Sequence, residues 1–546
     1  MSDTTLLEAS PARVAPAEPG ASLKTWVSVV GCMLGALMAV LDIQITNSSL
    51  PNIEGGISTG SDNGTWISTA YLIGEIVMIP LTAFLSSVFG FRRLLLTNTV
   101  LFLVFSVGCA LSTDLAQMIV MRALQGFVGG VMIPMAFTIV LTKLPAHQQS
   151  AGIATFALTA TLGPSLGPTL GGYLTDHYGW PYIFLINLVP GAIMLALLVP
   201  TLEREPLRLD RLREGDWWGI ATLATGLACL QTMLDEGEKD DWFGSPLIVR
   251  LAILAALFLT AFVVIELRSE KPAVNLRLLA HRNFCLGTLA IALVGVALYG
   301  SIYVLPTYLD QVEGYDAQQI GQVLAWVGLP QLLVIPFVPR LMRFLDARLL
   351  GILGLATFGV SCLMNSHLSY DYSGDQFMFT NIVRAVGQAV VLTPLTAIAM
   401  VGIAKRDVAA ASGISNMMRA LGGAVGTAAL STVIAKREQF HSNIIGQSVS
   451  PFDGRIHDFL AQQQAYLMAQ GESDPGRAYH EAEVLLGHLV ARQATVMAYS
   501  DTFAVLGVTL LLAAGLILFM RGTPRQASGT AGGREERSRP LRARGR

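Results

Sequence analysis

Residues 162–172 read LGPSLGPTLGG, and they close an apolar segment long enough to cross a bilayer. Gly163, Gly167 and Gly171 recur every fourth position, so a helix carries them on one bare face that a second backbone can approach closely. Gly172 widens that face, and Pro164 and Pro168 share the spacing. Each proline removes a backbone donor and crowds the preceding turn. Two such interruptions are tolerated where neighbouring helices re-satisfy the freed carbonyls, which is the situation inside a membrane bundle. The stretch therefore predicts a kinked, close-packed membrane helix. It serves either as an outer-side seal against proton leak, packed on the opposite half of the protein, or as a simple packing surface.

The composition outside this stretch points the same way. Of 546 residues, 53% are hydrophobic and only 14% charged, which excludes an ordinary soluble protein and predicts a polytopic membrane protein. The 36 basic and 38 acidic residues nearly cancel, giving no reason to expect nucleic acid as a partner. Cys32, Cys109, Cys229, Cys285 and Cys362 lie in or beside apolar segments without metal-type spacing. The segment from Trp26 to about Leu50 is too long for a signal-peptide core and reads as a first span.

Working outward, six spanning segments lie between residues 26 and 200, two between 217 and 267, and six between 284 and 520. The expected fold is all-α, with fourteen transmembrane helices arranged six, two, six. Residues 1–25 form a disordered tail, 26–200 a first six-helix block, and 201–282 a two-helix insertion with its flanking links. Residues 283–520 form a second six-helix block, and 521–546 a basic tail. Alternate connections carry Lys and Arg: Arg92 and Arg93; Lys143; Arg204 to Arg213; Arg268 to Arg282; Arg340 to Arg348; Lys405 and Arg406. The positive-inside rule then places both termini in the cytoplasm. Residues 435–499 interrupt the pattern on the outer side and read as a small helical hairpin, either decoration or a docking surface.

The two six-helix blocks look like copies. MRALQGFVGGVMIP around Arg122 matches VRAVGQAVVLTP around Arg384, and AGIATFALTATLGPSLG matches SGISNMMRALGGAVG. Repeats related by an axis along the membrane normal, with substrate held between them, are a recurring transporter architecture.

Together, LDIQITNSSLP (41–51), RALQGFVGG (122–130), the 162–172 stretch, WPYIFLINLVPG (180–191), LDEGEKDDWFGS and NMMRALGGAVGTA resemble the major facilitator superfamily, specifically its fourteen-span drug:proton antiporter family of the EmrB/QacA type. The resemblance runs from Trp26 to Met520. It implies a multidrug or toxic-compound exporter in a bacterial cytoplasmic membrane, exchanging a small amphipathic organic substrate for protons by alternating access. It also implies no cofactor beyond the proton gradient, and a periplasmic membrane-fusion adaptor with an outer-membrane channel as partners if the cell has two membranes. The loop AFLSSVFGFRR departs from the superfamily pattern: Ala83 replaces a glycine and Ser87 an acid, while Gly90, Arg92 and Arg93 remain. The second-block counterpart keeps Asp346 and Arg348, so charge pairing at the inner gate is expected there.

Ionisable groups deep in spans are costly and face cavities or partners, so they are the first functional candidates. Asp42, Glu75 and Arg122 fall at depths of roughly 10–15 Å and are assigned to proton coupling. Alternatives are a packing hydrogen bond for Asp42 and a permanently protonated acid bonded to Tyr71 or a carbonyl for Glu75. Gln44, Tyr71, Gln125, Tyr303, Tyr308 and Gln311 are candidates for the substrate pathway, and Arg419 for a structural tether. The histidines sit in connections or at span edges, so coupling rests on carboxylates. No GxxxxGK[ST], HExxH or strand-borne GxSxG motif occurs, and ATP-driven or hydrolytic chemistry is not expected. Uptake by symport, and a sensor working through residues 435–499, are the competing readings.

Overall fold

The computed structural model describes residues 20–520 except 214, 271, 370, 371, 405, 406, 451 and 452. Both tails, Lys405 and Arg406 lie outside the described residues, as does the side chain of Pro164. The described chain is helical: α1 (Leu23–Ser48), α2 (Ser61–Phe89), α3 (Phe91–Ala110), α4 (Leu115–Lys143, loosened by one turn at Gly130), α5 (Ala146–Tyr178), α6 (Tyr182–Thr201) and α7 (Trp217–Glu236). These are followed by α8 (Pro246–Arg268), α9 (Arg282–Gln311), α10 (Gln318–Phe344), α11 (Ala347–Met364), α12 (Phe377–Ala399), α13 (Val408–Ser448), α14 (Gly454–Ala469) and α15 (Pro475–Leu518). Twelve helices among the described residues are long and apolar enough to cross a membrane. α7 is not among them, because Gly, Thr and Gln dilute its apolar content, and α5 includes side chains outside the described residues.

Local chemistry sets the helix boundaries. Ser22, Asp114, Asp216 and Asp346 each accept a backbone N–H from the first turn of α1, α4, α7 and α11, which satisfies donors that the helix itself leaves unpaired. Gly90 and Gly179 close α2 and α5 at φ of 81° and 92°, a region that side-chain-bearing residues avoid.

Two apolar cores organise the packing. Met38, Phe102, Met132, Phe137 and Met194 belong to a core made by α1–α6, here the N-terminal bundle. Val304, Phe358, Phe377, Leu395 and Phe503 belong to one made by α9–α13 and α15, the C-terminal bundle. The bundles meet on one side through Ala154 of α5 with Ile335 and Ala389. On the other side Ile76 of α2, Leu223 of α7, and Phe284 and Ile414 join the two bundles. Call the end where α1 begins lower and the end where it finishes upper.

The glycine stretch packs differently from its reading in the sequence. α5 runs through Pro168 without interruption, parallel to α1 and inside the same bundle. Side chains at Gly163, Gly167 and Gly171 would strike Val40, Gln44 and Ser48, which are themselves spaced every fourth residue. Gly172 is buried beside them. The opposite bundle is met by another face of α5, where Thr169 lies against Gly321 of α10. The bare face is therefore an intrabundle seam.

In residues 435–499, α14 and the start of α15 lie side by side, joined by a short turn, and the region is continuous with the spanning helices. α13 and α15 simply continue past the spanning length. At about 1.5 Å per residue α15 is some 66 Å long, twice the roughly 30 Å of a hydrocarbon core. Asp501 fastens the base of this extension: its Oδ2 accepts Arg437 Nε at 2.5 Å and lies 2.8 Å from His441 Nε2.

Candidate functional site

The centre of the N-terminal bundle depends on a close helix approach. A side chain at Gly126 of α4 would land on the Tyr71 carbonyl of α2, and one at Gly74 of α2 would meet the backbone of Ala123 and Phe127. These facing glycines bring Arg122 over the ring of Tyr71, 4.3 Å from guanidinium carbon to ring centre, with the Phe184 ring centre at 5.6 Å. Such stacking stabilises a desolvated cation.

Arg122 is fully buried and Asp42 is 1% exposed. Arg122 Nη1 donates to Asp42 Oδ2 at 2.5 Å and to Gln125 Oε1 at 2.8 Å, while its Nε donates to the Ile67 carbonyl at 3.2 Å. The other carboxylate oxygen, Asp42 Oδ1, accepts Gln125 Nε2 at 3.0 Å and Asn187 Nδ2 at 2.6 Å. Ser106 receives a second bond from each amide, at 2.9 and 3.3 Å. The carboxylate thus has three donors contributed by two further helical segments, and the network lies wholly within one bundle. Asn187, Ser106 and Phe184 are members that the sequence reading did not assign; an asparagine inside the apolar run IFLINLVPG was the available signal.

Glu75 is also buried, but its carboxyl makes no hydrogen bond with any described residue, Tyr71 included. Its neighbour on α2, Ile76, packs into the apolar cluster that joins the two bundles, and Arg419 of the other bundle is buried as well. Arg419 donates to the Tyr299 hydroxyl at 2.9 Å and to Asn416 Oδ1 at 3.4 Å. It borders a cavity between the bundles of ≈ 20 Å³, lined also by Ala36, Val40, Ile133, Phe156 and Tyr299. That is room for about one water, whereas a drug-sized molecule needs roughly 300 Å³ or more, so the bundles must part to admit one there.

The remaining candidates take varied positions. Gln44 is half-buried in the α1–α5 seam. Tyr303 packs against the C-terminal core, and Tyr308 is inside it, its hydroxyl donating to the Tyr372 carbonyl at 3.1 Å. Gln311 accepts the Tyr499 hydroxyl at 2.8 Å. At the lower end Arg92 donates to the Val199 carbonyl at 2.8 Å, and Arg93 is exposed. Where Ser87 lacks an acid, Glu205 of the following link takes the Phe91 amide at 2.8 Å beside Gly90. Asp346 caps α11, and Arg348 donates to the Leu518 carbonyl at 3.2 Å. These two side chains serve helix ends.

Residues 32–427 match the model of the Major Facilitator Superfamily. The chain belongs to that superfamily. The colistin resistance protein EmrB of Acinetobacter baumannii is 32% identical over 91% of this chain and 96% of its own length. The multidrug export protein EmrB of Escherichia coli K12 is 30% identical over 93% and 97%, and the fatty acid resistance protein FarB of Neisseria gonorrhoeae 30% identical over 84% and 89%. This places the chain in the EmrB-type branch of the superfamily. The proton:xylose symporter XylE shares the fold, with a TM-score of 0.57 at 14% identity, covering 91% of this chain and 96% of the symporter.

Proposed function

We propose that this protein exports amphipathic or toxic organic compounds across a bacterial cytoplasmic membrane in exchange for protons, by alternate opening of the two bundles. Relatives named for multidrug export, colistin resistance and fatty acid resistance support the direction and the substrate type. The observation that carries the coupling is the contrast between the two buried acids. Asp42 is held by Arg122, Gln125 and Asn187, so protonating it means dismantling a network. Glu75 has no such bonds with any described residue and precedes Ile76, which packs where the bundles meet, so it can gain and lose a proton as the bundles part and close. The assigned division of labour is therefore Glu75 as proton carrier and the Asp42–Arg122 network as the frame that fixes α2 beside it.

We further propose that α5 and α7 complete fourteen crossings in a six, two, six arrangement, with the lower end and both termini cytoplasmic. The extension formed by α13, α14 and α15 then projects into the periplasm, where an adaptor would dock. The energy source is the proton gradient, with no cofactor.

Everted vesicles carrying the full chain test the coupling. Glu75→Gln is expected to reach the membrane in normal amount and to lose at least tenfold of its pH-gradient-driven efflux of a fluorescent amphipathic dye. Undiminished proton-driven export by that variant overturns the assignment.

A further inference from the structure

Arg384 of α12 is 5% exposed, yet among the described residues no carboxylate lies within ion-pair distance of it. Its one hydrogen bond runs from Nη2 to the Ser301 hydroxyl at 2.8 Å, and its Nε meets no acceptor. An unneutralised guanidinium in an apolar core is strongly unfavourable, so a compensating group is required.

The surroundings indicate its kind. Asn381, Arg384 and Gln388 recur at three- and four-residue spacing on one face of α12, and all three are buried. Gln388 Oε1 accepts from Gln331 of α10 at 2.6 Å, which leaves the Gln388 amide nitrogen without a partner. Arg384 and Gln388 are one turn apart, a rise of about 6 Å. Side chains at this four-residue spacing are neighbours on a helix face, so one ligand can accept from both.

The N-terminal bundle contains the filled version of this donor set. There an arginine, a glutamine amide and an asparagine amide, Arg122, Gln125 and Asn187, converge on the carboxylate of Asp42. In the C-terminal bundle Arg384 and Gln388 repeat the arginine and the amide, while α9 presents Ser301 in place of an acid. We propose that the C-terminal bundle binds a monovalent anion at Arg384 and Gln388, in the role that Asp42 plays in the N-terminal bundle. The ligand class is a carboxylate or a halide: either the head of an organic acid or a resident chloride. The site is separate from Glu75 and does not depend on the proton-coupling assignment.

The full-length protein in detergent micelles is melted in sodium acetate, in sodium chloride and in sodium sulfate of matched ionic strength. A ligand that binds only the native state raises stability with the logarithm of its concentration. The melting temperature is expected to climb by several degrees across a hundredfold range of acetate or chloride, relative to sulfate. Arg384→Met is expected to fold, to melt in sulfate no lower than wild type, and to show no response to either anion. Gln388→Leu is expected to need about tenfold more anion for the same shift. A response to acetate assigns the site to carboxylates, and a response to chloride alone assigns it to a halide. No response in wild type, or an equal response in Arg384→Met, overturns the proposal.

Discussion

Arg122 and Arg384 stand at matching places in the two repeats, and the protein neutralises only one of them from within. Arg122 has two aromatic rings beside it and bonds to a carboxylate, an amide and a carbonyl. Among the described residues Arg384 bonds to a single hydroxyl. The backbone arrangement is alike, because each arginine reaches from the fourth helix of its bundle to the first, Asp42 on α1 and Ser301 on α9. What differs is the chemistry placed on that first helix. One copy has become a self-contained frame, while the other keeps an electropositive interior. On the proposed anion site, two similar halves divide rigid support and ligand response between them.

The largest effect expected from this contrast is at Asp42. Asp42→Asn leaves Arg122 buried with no carboxylate, at a cost of about 3–5 kcal/mol. Most of the variant should be lost from the monodisperse peak on size-exclusion chromatography in detergent. Adding Arg122→Met removes the stranded charge and should restore much of the folded fraction, since a buried ion pair exchanged for apolar groups is often close to neutral. A double variant no better folded than Asp42→Asn would show that the aromatic stacking on Arg122, not its charge, frames the bundle.

A middle-sized effect separates the two parallel seams between first and fifth helices. A methyl group at Gly422 of α13 would fall on the backbone carbonyl of Ala292 in α9, which cannot turn aside. At Gly163 of α5 it would meet Val40 Cγ1 at 2.5 Å. Val40 borders the cavity between the bundles and has space to move into. Gly422→Ala is therefore expected to lower the melting temperature by several degrees, in keeping with overpacking costs of about 1–3 kcal/mol. Gly163→Ala should lower it by less than half as much. Equal losses would mean that the α1–α5 seam is as rigid as its counterpart.

The all-helical membrane fold was legible in the sequence because apolar run length reports directly on membrane crossing. Asp42 and Arg122 were legible for a related reason, since charge in an apolar run is conspicuous. Asn187 and Ser106 were not: a neutral polar residue in a span acquires meaning only once its neighbouring helix is known. Tyr308 shows the same difficulty from the other side. Its position near the end of a span suggested the substrate pathway, but rotation about the helix axis places it against Phe377 and Tyr499 in the C-terminal core. The glycine face of α5 was readable as a close-packing surface, whereas its partner, α1 and not the opposite bundle, depended on tertiary arrangement.

The smallest effect is expected from another ion pair, and it bounds the first prediction. At the lower end Lys143 Nζ lies 3.0 Å from Glu203, with the two side chains 49% and 74% exposed. The ammonium holds Glu203 below the ordinary carboxylate range. Any stability from the pair is accordingly present at neutral pH and disappears as pH falls through the titration of Glu203. Water on all sides weakens the attraction, salt screens it, and two long side chains lose freedom in forming it. Glu203→Gln should therefore leave the melting temperature at pH 7 unchanged within error, in both low and 0.5 M salt, a range over which screening shortens to a few Å. A drop comparable to that of Gly422→Ala would mean that the link between α4 and the segment after α6 restrains the bundle, and that burial is not what separates this pair from Asp42–Arg122.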